Sequence, residues 1–117
     1  MGKLTTHVLD TAHGCPASGI GIRLFDIGGQ GDILLCEAKT NADGRSDGPL
    51  LSGAQFKAGH YRLEFSTAEY FRARGVRLSE PPFLDVIELR FAVADASENF
   101  HVPLLVSPFS YSTYRGS

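Results

Sequence analysis

Two runs of alternating side chains constrain this chain more than any other feature. Between Gly59 and Ser66, Tyr61, Leu63 and Phe65 fall on one side of an extended backbone, and His60, Arg62 and Glu64 fall on the other. Between Phe83 and Ala94, Ile87, Leu89, Phe91 and Val93 repeat the same spacing. Successive side chains of a strand point to opposite faces, so each run is a strand with one apolar face to bury. A single layer cannot bury both rows, whereas two sheets packed face to face can. The remaining punctuation agrees. Leu4–Asp10, Ile20–Ile27, Ile33–Thr40, Asn99–Val106 and Ser110–Tyr114 read as further strands. They are parted by turn signals such as Gly28-Gly29-Gln30-Gly31-Asp32 and Asn41-Ala42-Asp43-Gly44.

One segment breaks the pattern. Thr67 to Gly75 reads as a helix of about two turns, with Thr67 as its cap, Glu69 in the first turn, Arg72 and Arg74 late, and Gly75 as the stop. So short a helix must lean on a sheet. The expectation is an all-β fold: an antiparallel β-sandwich of seven to eight strands with one short helix, residues 1–117 forming a single domain. Pro81-Pro82 resets the chain before the long strand that opens at Phe83.

Composition removes several functions. A formal net charge of −2 argues against nucleic acid or an anionic membrane as the partner. No apolar run approaches the roughly 18 residues of a membrane helix. Met1 to Thr6 has no apolar leader core, and Cys15 and Cys36 stand too far apart for a C-x-x-C motif, so two free thiols in the cytoplasm are expected. The Met-Gly-x-x-x-Thr start also fits an acylation pattern, which we read as chance because its threonines open a strand.

Few residues carry chemistry. Gly44-Arg45-Ser46-Asp47-Gly48 matches G-x-S-x-G, but Pro49 follows and no helix pattern does, so it is not a nucleophile elbow. His13 in a turn and His60 on a polar strand face read as solvated. His7 and His101 lie within strands, where a histidine is ordinarily a satisfied core or edge residue. No H-x-H or H-x₃-H spacing supports a metal site. Arg45, beyond a tight corner, offers a planar fork for an anionic oxygen if it is not simply solvated.

Taken in order, four stretches resemble the transthyretin-like 5-hydroxyisourate hydrolases over essentially the full length. They are Leu4-Thr5-Thr6-His7-Val8-Leu9-Asp10 with Gly14-Cys15-Pro16-Ala17, then Thr40 to Arg45, then Tyr70-Phe71, then His101 to Ser117. The closing Tyr114-Arg115-Gly116-Ser117 is the specific signal, since hormone-carrying transthyretins share the sandwich but lack this tail and the two strand histidines. Ser110 departs from the Gly common at that position, and Asn99-Phe100 stands where an aromatic or His pair often precedes the second histidine.

The resemblance implies hydrolysis of 5-hydroxyisourate to 2-oxo-4-hydroxy-4-carboxy-5-ureidoimidazoline in urate degradation, with no metal or organic cofactor. It implies a homotetramer built as a dimer of dimers, with its sites where two dimers meet. It carries catalytic roles to His7, Arg45, His101 and Ser117, and substrate contacts to His7, Arg45, Tyr114 and Arg115. Histidine titrates near pH 7, so His7 and His101 suit water activation and proton transfer, with the choice of base open between them. Arg45 suits the developing oxyanion. The competing expectations are a carrier of small aromatic ligands on the same fold and a plain scaffold sandwich, neither of which requires the histidines or the tail.

Overall fold

A computed structural model describes residues 1–116, and in it the two apolar rows lie side by side on one sheet and are covered by the other, with Phe91 half-buried. The strands among the described residues are β1 (Lys3–Asp10), β2 (Cys15–Pro16), β3 (Gly21–Asp26), β4 (Ile33–Lys39), β5 (Leu51–Ser52), β6 (Gly59–Ser66), β7 (Val86–Val93), β8 (Phe100–Val106) and β9 (Tyr111–Thr113). Helix α1 (Thr67–Ala73) lies between β6 and β7. The seven longer strands are those expected; β2 and β5 are two-residue additions that pair with β1.

One sheet runs β2-β1-β8-β9, with β5 also on β1, and the other runs β4-β3-β6-β7. The architecture is the expected sandwich, with one ladder of different sense: β1 and β8 pair in parallel, from Leu4 opposite Phe100 to Asp10 opposite Val106. Parallel neighbours cannot be joined by a hairpin. Here the connection between them is the whole of the second sheet.

The parallel register decides which side chains share a face. Leu4, Thr6, Val8 and Asp10 from β1 and Phe100, Val102, Leu104 and Val106 from β8 point inward and are buried. They pack against Ile22, Leu24, Leu63, Phe65, Ile87 and Leu89 of the facing sheet, all in one core. Thr6 is tolerated there because its hydroxyl donates to the Val102 carbonyl at 2.7 Å. Thr5, His7, Leu9, His101 and Leu105 line the outer face and are only half-buried.

Local readings changed where tertiary contacts intervened. The strand expected from Phe83 begins at Val86, and Phe83 is exposed. The Asp85 carbonyl is taken by α1: it accepts from the Thr67 and Ala68 amides and, at 2.8 Å, from the Thr67 hydroxyl. Thr67 is therefore the first helical residue held by the chain ahead of β7, rather than a self-contained cap. Arg62, expected on the solvated face of β6, is buried. Its guanidinium bonds Asp32 at 2.6 Å and Glu64 at 3.0 Å, and lies 4.4 Å from the centre of the Phe25 ring. His13 is likewise engaged, its Nδ1 lying 2.6 Å from Asp10 Oδ2 and its ring stacked on Phe71. Both cysteines are free thiols, as expected.

The helix is anchored through a buried carboxylate. Asp10 Oδ2 accepts from the Tyr70 hydroxyl at 2.8 Å, and Oδ1 accepts from the Ala12 and His13 amides at 3.0 Å each. Burial alone pushes the Asp10 carboxyl up, but the bonds from Tyr70 and His13 outweigh it and hold the carboxyl below its ordinary value. Burial and the same carboxylate push Tyr70 up to about 12. No helix among the described residues is long and apolar enough to cross a membrane.

Candidate active site

Strand β1 has β8 on one side and a broken partner on the other. β5 pairs with it at Lys3 and Leu4, and β2 pairs at Leu9 and Asp10. Between them the Asn41–Arg45 turn closes the gap: the Val8 amide donates to the Gly44 carbonyl at 2.8 Å. Only glycine fits there, because φ is +77° and a Cβ would overlap the Val8 carbonyl oxygen. Asn41 Oδ1 accepts from the Asp43 and Arg45 amides and shapes the turn. The result is that Arg45, though far away in sequence, emerges beside β1 one residue past the Gly44–Val8 bond, near enough for its charge to act on His101.

His101 comes to the same place from β8. The His7 and His101 ring centres lie 6.5 Å apart at an interplanar angle of 39°. His101 Nδ1 lies 2.8 Å from the Thr5 hydroxyl, its cross-strand neighbour. On its other flank the tail returns: the Gly116 amide donates to the His101 carbonyl at 2.7 Å, forming a bridge beyond β9. A Cβ on Gly116 would come 2.9 Å from His101 Cδ2, so the close approach of the tail to the ring depends on this glycine. Burial pushes the His101 imidazole below its ordinary value, and the charges of Arg45 and His7 push it the same way. These effects favour the neutral imidazole, the form able to donate or accept one proton.

Of the expected site residues, His7, Arg45 and His101 are brought together on the outer face. Tyr114 is 61% exposed, beside a cavity of about 390 Å³ that Phe91, Phe100, Val102, Thr113 and Arg115 also line. Arg115 bonds Glu98 and the Asn99 carbonyl and sits 3.8 Å over the Phe100 ring. Phe100 belongs to the inward row, so the Arg115 guanidinium lies across the sheet from the histidines. Ser117 lies outside the described residues. Ser46 of the G-x-S-x-G stretch donates to the Gly48 carbonyl and precedes no helix. A larger cavity, about 620 Å³, lies by Asp26, Lys57, His60 and Tyr61 and includes none of the expected site residues.

Three positions that lie within the sequence motifs but were given no role there adjoin these residues: Thr5, Gly44 and Gly116. Alternation along Leu4-Thr5-Thr6-His7 already places Thr5 on the face of His7. The partner that makes Thr5 significant depends on the parallel register with β8, which no local pattern carries.

Comparison with known proteins places the fold. Residues 4–116 match the family described as HIUase/transthyretin. A 5-hydroxyisourate hydrolase of Pseudomonas aeruginosa is 57% identical over 117 residues, covering 100% of this chain and 93% of that protein. The crystal structure of an (S)-allantoin synthase superposes with a TM-score of 0.95 at 48% identity, over 99% of this chain and 44% of that one. The chain thus spans less than half the length of that protein. Sea bream transthyretin, solved with thyroxine, gives a TM-score of 0.87 at 30% identity, over 97% of this chain and 94% of that one. The fold and the paired histidines define a β-sandwich of the transthyretin type carrying a polar site on its outer face. The chain belongs to the HIUase/transthyretin family.

Proposed function

We propose that the chain, residues 1–117 acting as one domain, hydrolyses 5-hydroxyisourate and opens its six-membered ring to 2-oxo-4-hydroxy-4-carboxy-5-ureidoimidazoline in urate degradation. The observation that carries this reading is the convergence of His7, His101 and Arg45 on one outer face, with the Gly116 backbone laid against His101. Full-length relatives named 5-hydroxyisourate hydrolase support it.

The chemistry follows from the side chains. A water held between the imidazoles gives a proton to one of them while its oxygen bonds to the ring carbonyl carbon. Arg45 meets the anionic substrate and the developing oxyanion. The carbon–nitrogen bond then breaks, the leaving nitrogen takes up the proton, the new carboxylic acid loses its own proton to solvent, and the ring-opened product departs. Tyr114 and Arg115 bind substrate from the tail, and Ser117 takes a catalytic part. None of these steps calls on a metal or an organic cofactor.

The same reading includes assembly. β7 and β9 are each an edge strand of their sheet, with β4 and the short β2 and β5 at the opposite edges, and edges are templates for pairing. Glu88 and Arg90 flank Leu89 on β7, so two antiparallel copies set opposite charges against each other. Two such dimers then meet through their outer faces, forming a cytoplasmic homotetramer that brings the exposed tail residues to the histidines of a neighbouring copy.

The experiment is to generate 5-hydroxyisourate from urate with urate oxidase and follow its ultraviolet decay with the untagged protein, a chelator and size analysis in parallel. Accelerated decay that survives the chelator, lost in His7→Ala, His101→Ala and Arg45→Ala variants of normal fold, is the expected result. Decay at the spontaneous rate from a folded tetramer would overturn the reading in favour of a ligand carrier.

A further inference from the structure

Thr5 has one side-chain partner among the described residues, His101 Nδ1 at 2.8 Å. Neighbouring threonines direct their hydroxyl protons elsewhere: Thr6 to the Val102 carbonyl at 2.7 Å, and Thr11 to the Val106 carbonyl at 3.1 Å. For Thr5 no carbonyl takes that part among the described residues. A neutral imidazole carries one N–H and one bare nitrogen, and which is which follows from the bonds the ring makes. If the Thr5 hydroxyl donates to Nδ1, one bond satisfies both groups. If it accepts from Nδ1, its own proton has no acceptor among the described residues.

The opposite flank of the ring is fixed as well. Gly116 packs against Cδ2, and its amide is tied to the His101 carbonyl. The imidazole is therefore gripped from both sides.

We propose that Thr5 is a positioning residue: it donates its hydroxyl proton to His101 Nδ1 and so fixes the ring with its own proton on Nε2. This rests on the hydrolase reading and divides the labour within it. His101 presents an N–H donor to an oxygen of the substrate, beside Arg45, and His7 is the base. Water gives its proton to His7 and its oxygen bonds the ring carbonyl carbon. The oxyanion forms against His101 Nε2–H and Arg45, and His7 returns the proton to the leaving nitrogen as the carbon–nitrogen bond breaks. The site thus selects substrates whose carbonyl oxygen can face a neutral N–H donor.

The test combines nitrogen-15 imidazole spectra with kinetics for the wild type, Thr5→Val and Thr5→Ser. In the wild type, His101 is expected with Nδ1 bare and Nε2 protonated at neutral pH. Thr5→Val, which keeps the β-branched shape, should mix the tautomers and lower kcat by about tenfold with KM little changed. Thr5→Ser should keep the spectrum and the rate. A wild-type Nδ1–H tautomer would overturn the proposal. So would a Thr5→Val protein with unchanged spectrum and rate, or a Thr5→Ser protein as impaired as Thr5→Val, which would make the methyl group the important part. His101→Ala separates the two levels: full activity in that variant removes the site reading itself, whereas its loss alongside an unaffected Thr5→Val removes only the role of Thr5.

Discussion

Adding one methyl group at Gly116 should disable the site while sparing the fold. The new Cβ would stand 2.9 Å from His101 Cδ2 and 3.3 Å from its Cβ. Carbon atoms in contact settle at about 3.5–4.0 Å, so the ring or the tail must give by about 0.6 Å or more. Thr5 holds the ring on one side and the His101 carbonyl holds the Gly116 amide, so the strain falls on the geometry of the site. Misplacing a reacting group by about 1 Å can cost about a hundredfold in rate, so a shift of this size should cost about tenfold. The assay is the decay of freshly generated 5-hydroxyisourate, with thermal unfolding measured on the same samples. Gly29→Ala is the control, since a Cβ there meets nothing within 4 Å. The expected outcome is a slow Gly116→Ala enzyme with a melting temperature near the wild type, and a control normal in both. Wild-type turnover in Gly116→Ala would refute the idea that the tail sets the position of His101.

The Asp10 cluster should govern stability instead. Tyr70→Phe removes a hydrogen bond to a buried carboxylate and should cost about 1.5–3 kcal/mol, read as a drop in urea midpoint; an unchanged midpoint would mean the anchor contributes nothing. Because the Asp10 carboxyl sits below its ordinary value, its contribution is present above about pH 4 and is lost as pH falls through the folded-state value; Asp10→Asn should flatten that part of the acid-unfolding curve. At the active site, Arg45→Ala removes a positive charge that depresses His101, so an NMR titration of His101 should move up toward the ordinary histidine value, and any remaining activity should lose its acid limb at higher pH. A titration that stays put or moves down would separate Arg45 from the ring.

Most of the scaffold was legible because it rests on short-range alternation. The Tyr61/Leu63/Phe65 and Ile87/Leu89/Phe91/Val93 rows called for a second layer, and one is present, but the two rows are neighbours on one face of one sheet, Tyr61 opposite Phe91 and Leu63 opposite Leu89, and the other sheet covers that face. What escaped was set by contacts between distant segments. Phe83 has strand-like neighbours, yet the Asp85 carbonyl serves α1 and the strand starts at Val86. Arg62 alternates like a solvated residue, yet Asp32 from another loop and the Phe25 ring cover it. His7, Arg45 and His101 were marked by family resemblance rather than by spacing. The reason they meet, a parallel register and a glycine corner inserted against Val8, is written nowhere near any of them.

The pairing of β1 with β8 also has a consequence in time. The residues it joins are 96 positions apart, as Thr5 and His101 are. During synthesis the first strand leaves the ribosome early and must wait for nearly the whole chain before its principal neighbour exists. Such distant closures make folding slow and leave strand edges open meanwhile. A nascent chain released too soon, even by the length of β8 and the tail, would keep most of its second sheet and carry only one of the two facing histidines. In this protein the two histidines can meet only after the last long strand has been made.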